Sequence, residues 1–504
     1  MKTMRFLMLG FLVVLLGGCY HSEFSGRYKA EEALWKANRE FTRLSIKPKL
    51  VEPEQWEALA NTYQELGEKY KATPVPSGDS PEALAAAEMR AIAARALARS
   101  GNLRASMGDS TEAEAIFRSI DQEFADIPNA QGTGLLALAQ LLQRQSRTPE
   151  AIQAYEKIIN TIEPAPSAQG VEGVVMFLPL RVARMKAGNA QNKAPFYEDA
   201  RAYYRNQIQN PKHAESAYEA RSRLVDVASD LGDWNEALDQ MRVMEREVTT
   251  FEDPPEDPGK IKFAMAEATR LGLGKIEEAA GILEELVAKY PESTFAARAL
   301  LSLSKYEGSR ENTETAINYL DRLREEYPKE DSFLAQGALY RARLLERTGD
   351  WAGALEAYRS LPVEHPLSEE ALISHLEIAS RYDRVGDATS RGRSLGEAEE
   401  AYRNFISRFP AEGLSYSARE KLARIYGAQK RWEEAISELE SLAEALRGTP
   451  QGAAQLWAAA QLSERELKDT ERAIKLYETA VTLYPNTQTG VKSAEALSRL
   501  KGGE

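Results

Sequence analysis

The segment GDWAGALEAYRSLPVEHP, residues 349–366, is the most informative part of the sequence. Its Gly-Asp turn is followed by Ala354 and by a bulky residue four positions later, Tyr358. Residues i and i+4 share one face of an α-helix, so the alanine lets a paired helix approach and the tyrosine fills the groove beside it. Pro366, twelve residues after the alanine, then stops the helix. The segment therefore predicts the second helix of a tight helical hairpin.

The pair of an alanine and a bulky residue recurs along the chain at steps of 37 to 49 residues. The ten pairs are Ala113/Phe117, Ala151/Tyr155, Ala200/Tyr204, Ala237/Met241, Ala279/Leu283, Ala316/Leu320, Ala354/Tyr358, Ala398/Tyr402, Ala435/Leu439 and Ala473/Tyr477. A single hairpin cannot cover its own apolar face, so neighbouring hairpins must stack on one another. The spacing predicts an all-α solenoid.

This pattern resembles the tetratricopeptide repeat, whose consensus has Trp-x2-Leu-Gly-x2-Tyr in the first helix and Ala-x3-Phe before a proline in the second. Leu422-Ala423-x2-Tyr426 is one first-helix match, with alanine in place of the glycine. The step is longer than the consensus of about 34 residues. The longer step and the Tyr-Pro junctions also resemble two periplasmic scaffolds, the lipoprotein subunit of the β-barrel assembly machinery and the Tol-Pal coordinator.

The resemblance implies a right-handed α-solenoid of about ten repeats over residues 80–489. A helical segment is predicted at residues 28–79, beginning with an amphipathic helix that contains Trp35, and a capping helix and tail at residues 490–504. Two inserts lengthen the repeats, near Pro164–Gly170 and Thr389–Gly396. We interpret them as slack loops, with a contact surface as the alternative.

The N-terminus has the features of a secretory signal. Lys2 and Arg5 precede an apolar run at residues 6–16, which is too short to cross a bilayer because a spanning helix needs about 20 residues. Residues 1–18 are therefore predicted to be a signal peptide that is removed.

Cys19 follows that run in Leu-Gly-Gly-Cys, which resembles the bacterial lipobox. The resemblance implies that Cys19 carries a lipid and that residues 19–27 form a lipidated tether. It is the only cysteine in the chain, which excludes a disulfide, a cysteine-ligated zinc site and a cysteine nucleophile. Tyr20, in place of the aspartate that retains lipoproteins in the inner membrane, favours the outer membrane.

Charge and composition limit the possible partners. Asp and Glu outnumber Lys and Arg by 77 to 64, a net charge of −13 that becomes −15 once Lys2 and Arg5 are removed. An acidic surface argues against nucleic acid, whose binding needs clustered cations. With 43% hydrophobic and 28% charged residues, the chain has enough apolar material for a folded core.

The sequence offers little for catalysis. The histidines, at positions 21, 213, 365 and 375, do not have the spacing of a helical zinc site, so no metal or cofactor is predicted. Ser302-x-x-Lys305 lacks the companion motifs of serine acyltransferases, and we interpret it as coincidence. Glu277-Glu278, Glu399-Glu400 and Glu433-Glu434 are expected at the start of second helices, where carboxylates complement the helix dipole.

An aromatic residue stands three positions before several repeat alanines, as in Trp234, Trp351 and Trp432. Core packing explains these tryptophans better than a ladder that stacks on glycans, because large aromatics serve packing more often than binding.

Together these features predict a non-enzymatic scaffold, lipid-anchored at the periplasmic face of the outer membrane, that binds protein partners in a groove formed by first helices. The resemblance implies cell-envelope assembly, with a polysaccharide-export or pilus scaffold as the nearest alternative. A murein-cleaving enzyme is a weaker alternative because no room is left for a catalytic module. A glycan-binding lipoprotein would need Trp351 for binding. No small-molecule substrate is indicated.

Overall fold

The computed structural model describes residues 26–46, 48, 51–78, 80–168, 170–211, 214–410, 413–485 and 487–502. These residues contain helices, turns and no strand. They form two compact units, one up to Ile276 and one from Glu277 onwards. Cys19, His21 and His213 lie outside the described residues.

Unit one begins with α1, residues 26–45. It continues with α2 (Pro53–Lys71), α3 (Pro81–Met107), α4 (Ser110–Glu123), α5 (Pro128–Arg144), α6 (Thr148–Thr161), α7 (Val171–Val174), α8 (Leu178–Ala187), α9 (Ala194–Gln209), α10 (Ala214–Leu231), α11 (Trp234–Val248) and α12 (Pro258–Glu267). A 3₁₀ turn, Val175–Phe177, joins α7 to α8, and a π turn, Ala268–Gly272, follows α12.

Unit two comprises α13 (Ile276–Lys289), α14 (Thr294–Ser309), α15 (Thr313–Glu326), α16 (Asp331–Arg347), α17 (Trp351–Glu364), α18 (Glu369–Arg384), α19 (Ala388–Arg408), α20 (Gly413–Ala428), α21 (Trp432–Ala445), α22 (Pro450–Leu462), α23 (Thr470–Leu483) and α24 (Gln488–Lys501). A π turn, Ser463–Leu467, extends α22.

Gly-Asp turns join the helices of several hairpins, as the sequence predicts. Gly349 has a φ of 90°, a left-handed conformation that ends α16. The Asp350 carboxylate then accepts a hydrogen bond of 2.9 Å from the backbone N–H of Gly353 and caps α17. The same turn and cap recur at Gly108-Asp109 and Gly232-Asp233.

The repeat pairs form the core. All ten alanines and all ten bulky partners are buried, and Phe117, Tyr155, Tyr204, Tyr358 and Tyr402 are fully inaccessible. In unit two, the first helices of successive hairpins also contact one another, since α14 contacts α16 and α16 contacts α18. The predicted all-α solenoid of tetratricopeptide-like hairpins is confirmed within the units.

The described ends of the chain are helical. The amphipathic helix predicted from Trp35 is α1, and α24 occupies the segment predicted to cap the last hairpin. The domain boundaries themselves stay predictions. Within the described ranges, no helix combines the length and the apolar character that a membrane span requires.

Candidate partner-binding clefts

The insert near Thr389–Gly396 is helical, so its interpretation as a slack loop is wrong. It forms the first part of α19, which begins at Ala388 and runs for 21 residues. The Asp387 carboxylate caps this helix by accepting a 2.9 Å hydrogen bond from the Ser390 N–H. Because α19 starts so early, Glu399-Glu400 lies in the middle of the helix, and the prediction that this pair begins a second helix is also wrong.

The additional residues at the start of α19 place the repeat pair Ala398/Tyr402 farther from the turn than in a regular hairpin. In the regular hairpin α16–α17, Ala354 and Tyr358 follow the capping Asp350 by four and eight residues. The corresponding positions after Asp387 hold Arg391 and Leu395. Ala398 and Tyr402 come seven residues later than the regular spacing, which is about two helical turns. The lengthened hairpin α18–α19 therefore has a large cation where its neighbour has a small residue that permits close packing.

A cleft of about 650 Å³ opens beside Arg391 and Leu395. We call it the α18 cleft, because α18 forms its floor between the start of α19 and the end of α20. Its apolar lining consists of Ile373, Leu376, Ala379, Leu395, Ile425 and Ala428. Leu395 is smaller than the tyrosine of the regular hairpin, and Arg391 turns aside to pair with Asp383 at 2.8 Å. The two residues that replace the repeat pair near the turn therefore line this cleft.

Most charges at the rim of the α18 cleft are paired. Lys421, which is almost fully buried, donates to Glu369 and, at 2.8 Å, to the hydroxyl of Ser417. Glu377 pairs with Arg343 at 2.5 Å. These contacts satisfy the buried polar groups, so an apolar side chain can enter the cleft without disrupting them.

A second cleft of about 460 Å³ lies on the other side of α20, and we call it the α22 cleft. Its lining includes Ala423, Gly427, Leu439, Gln455, Ala458 and Leu462. The two clefts meet at Arg424, which lines both. The guanidinium of Arg424 is exposed and forms no ion pair with a described carboxylate, and the same holds for Arg465 at the far rim. The two clefts thus flank α20, and we call them together the groove around α20.

Two other clefts are separate from this groove. One of about 660 Å³ lies among α15, α16 and α17. It includes His365, whose Nδ1 lies 2.6 Å from the Asp331 carboxylate. The other, of about 330 Å³ in unit one, is bounded by α6, α8 and α9 and lined by Tyr203, whose burial raises its pKa to about 12.

The tryptophan that precedes the repeat alanine packs as predicted. Trp351 meets Tyr382 edge to face, with ring centroids 5.5 Å apart, and the Arg381 guanidinium lies 5.7 Å from its centroid. Trp234 covers Gly272 so closely that a Cβ there would lie 2.2 Å from the indole ring. Both rings serve the packing of hairpins.

The part of the chain that the structure describes contains no candidate metal centre. No group of three or more His, Cys, Asp or Glu side chains could hold a metal ion there. His375 packs edge to face on the buried Tyr402 ring at 5.8 Å. Sequence reasoning missed the groove around α20, although the seven-residue excess before Ala398 is a readable signal of two added helical turns.

Family models described as tetratricopeptide repeat match residues 263–293, 301–369, 386–453 and 453–487. The matched segments are similar to tetratricopeptide repeats. They include α20 and α22 of the groove, whereas α18 lies almost entirely between two matched segments. Such repeats indicate a protein-interaction scaffold.

Several solved structures are similar to this chain at low identity and with TM-scores below 0.5. A tetratricopeptide repeat protein from Parabacteroides merdae is 17% identical, with 56% of this chain and 98% of that chain covered and a TM-score of 0.31. A human IFIT1 dimer with PPP-AAAA is 15% identical, with 82% and 90% covered and a TM-score of 0.34. The C-terminal part of a repeat protein from Cytophaga hutchinsonii is 14% identical, with 54% and 98% covered and a TM-score of 0.33. The sequence has no match among curated proteins.

Proposed function

We propose that the protein is a lipid-anchored scaffold that binds a segment of a partner protein in the groove around α20. We place it at the periplasmic face of the outer membrane, anchored through Cys19, with a role in cell-envelope assembly. It performs no chemistry of its own in this proposal.

The observation that carries the proposal is the paired clefts beside a shifted repeat. An apolar floor flanked by satisfied ion pairs suits partner side chains that enter from a helix or an extended segment. Arg424 stands between the clefts with its guanidinium available to a partner's carboxylate or backbone carbonyl. The position of Cys19 after the leader supports the anchor.

A photo-crosslinking residue at Gln455, in the α22 cleft, tests the groove in intact cells. We expect a covalent adduct with a discrete protein, and we expect the charge reversal Arg424→Glu to reduce that adduct about tenfold or more. Lys475→Glu is the matched control, because Lys475 is exposed on α23, in the same unit and outside both clefts. An adduct that both variants reduce equally, or that neither reduces, would contradict the proposed site.

The anchor is tested separately. Cys19→Ser is expected to leave an uncleaved or soluble form, whereas the native chain should fractionate with the outer membrane and incorporate labelled fatty acid. Unchanged processing and fractionation of the variant would refute lipid attachment at Cys19.

A further inference from the structure

The first helix, α1, has a packed face and an open face. Ala30, Ala37 and Leu44 are buried at intervals of seven residues. Ala37 and Leu44 pack in a cluster with Leu59 and Tyr63 of α2. The asparagine Asn38 adds a 2.8 Å hydrogen bond from the Tyr63 hydroxyl. One face thus attaches α1 firmly to unit one.

The open face carries large apolar side chains with no described partner in the core. Tyr28 is 66% exposed, Trp35 is 58% exposed and Ile46, just past the end of the helix, is 73% exposed. Tyr28 and Trp35 are seven residues apart and share one face, opposite the buried alanines. A soluble surface rarely retains such a stripe without an interaction that uses it.

Cations accompany the aromatic side chains on this open face. Lys29, Lys36, Arg39 and Arg43 are all exposed. Residues 26–45 contain five cations and three carboxylates, a net positive segment in a chain whose net charge is −13. The Arg39 guanidinium lies 5.6 Å from the centroid of the Trp35 ring. Lys29 has no ion-pair partner among the described carboxylates.

This combination fits one surface chemistry. Tryptophan and tyrosine partition to the membrane interface, where an apolar ring meets a polar headgroup region. Lysine and arginine beside them are attracted to anionic lipid, and each contributes about 1 kcal/mol near such a surface. The net negative charge of the whole chain favours basic protein partners, whereas residues 26–45, with five cations and three carboxylates, favour an anionic surface.

The position of α1 in the chain agrees with a membrane as that partner. The start of α1 at Gly26 lies seven positions after Cys19. Even fully extended, a segment of that length reaches only about 25 Å. A lipid on Cys19 would therefore hold α1 next to the bilayer. This step rests on the proposed anchor, whereas the stripe and its charge do not.

We propose that the open face of α1 lies on the surface of anionic phospholipid membranes, with Tyr28, Trp35 and Ile46 at the interface and Lys29, Lys36 and Arg39 among the headgroups. Helix α1 then provides a second membrane attachment besides the lipid on Cys19. Its open face is the side that contacts the bilayer.

Vesicle binding by the full mature chain carrying Cys19→Ser tests this without the lipid. We expect it to bind vesicles of phosphatidylethanolamine and phosphatidylglycerol, and we expect the double variant Tyr28→Ala/Trp35→Ala to bind about tenfold more weakly. The control is Leu271→Ala/Val363→Ala, which removes two side chains that are 67% and 80% exposed elsewhere. Circular dichroism verifies that both variants stay folded.

Brominated lipids provide a second measurement, since they quench tryptophan that enters the interface. The chain has six tryptophans, and Trp35→Phe should remove the quenching if Trp35 is the one that inserts. Three results would overturn the inference: no binding to anionic vesicles, equal binding by the α1 double variant, or quenching unchanged in Trp35→Phe. A photo-crosslinker at Trp35 that captures a protein and no lipid in native envelopes would also overturn it. None of these results affects the Gln455 adduct, so the two proposals fail independently.

Discussion

The neighbouring hairpins α16–α17 and α18–α19 have the same type of turn between their helices. They differ in how far after the turn the repeat tyrosine lies. Each has a Gly-Asp turn with a glycine at positive φ and an aspartate cap. In the first, the tyrosine lies close to the turn, and the Tyr358 hydroxyl donates a hydrogen bond of 3.0 Å to the Glu346 carboxylate near the end of α16. In the second, Tyr402 lies farther along and donates to the backbone carbonyl of Leu372 near the start of α18. Shifting the pair along the helix thus moves the tyrosine contact from the end of the first helix to its start, and Arg391 and Leu395 line the cleft beside the turn.

The other lengthened repeat behaves in the same way. Tyr204 follows the insert at Pro164–Gly170, and its hydroxyl donates a hydrogen bond of 3.0 Å to the backbone carbonyl of Met176. Tyr477, in a regular hairpin, instead bonds a side chain, Glu464, at 3.0 Å. The partner of the repeat tyrosine therefore reports whether its hairpin is regular or lengthened.

The largest effects should come from removing the aromatic ring itself. Tyr358→Ala and Tyr402→Ala are each expected to lower the free energy of unfolding of unit two by about 3–5 kcal/mol, because both rings are fully buried. Urea denaturation followed by circular dichroism measures this. A loss below about 1 kcal/mol in either variant would show that the packing comparison is wrong.

Removing only the hydroxyl should separate the two hairpins. Tyr402→Phe removes the fully buried hydrogen bond to the Leu372 carbonyl, which then keeps only its helical N–H donor, and should cost about 1–1.5 kcal/mol. Tyr358→Phe should cost about 0.5–1 kcal/mol, because Glu346 remains paired with Arg384. Equal losses in the two variants would contradict the proposed difference.

Deleting Thr389–Leu395 should convert the lengthened hairpin into a regular one. The deletion places Ala398 four residues after Asp387, as Ala354 follows Asp350, and removes Arg391 and Leu395 from the cleft. The chain should remain folded, and the Gln455 adduct should fall about tenfold, equivalent to about 1.4 kcal/mol. A folded deletion variant that retains the full adduct would show that the α18 cleft is not needed.

The smallest effect concerns pH. Burial lowers the pKa of His375, which lies against Tyr402, although Glu397 opposes that shift. The neutral imidazole is therefore favoured in the folded state, and the unfolding free energy should decrease as pH falls below about 6.5, the ordinary histidine value. His375→Gln should remove this part of the slope. The regular hairpin has Ala338 at the same distance from its turn and offers no such group.

The sequence predicted most of the fold because its signals are local. A glycine that can adopt positive φ, an aspartate that caps, and an alanine with a bulky residue one turn later each act within a few residues. The burial of all ten pairs follows from that repetition.

The groove around α20 was not predicted because it depends on contacts distant in sequence. Gly392 and Gly396 make the insert resemble a loop, yet the Asp387 cap and the burial of Leu395 and Tyr402 against other helices hold it in α19. Which residues of a first helix line a cleft likewise depends on how neighbouring hairpins approach. Lys421 shows this, since its partner Glu369 lies 52 residues away in sequence.

The length of the added segment in α19 shows which insertions a helical repeat can accept without losing its core. Each helical residue rotates the chain by about 100°, so seven residues fall only about 20° short of two complete revolutions. Ala398 and Tyr402 therefore keep the angular orientation that a regular hairpin requires. Five extra residues would have rotated Ala398 and Tyr402 towards solvent. A repeat of this kind can therefore gain a cleft by a single insertion only when the number of inserted residues is close to a whole number of helical turns.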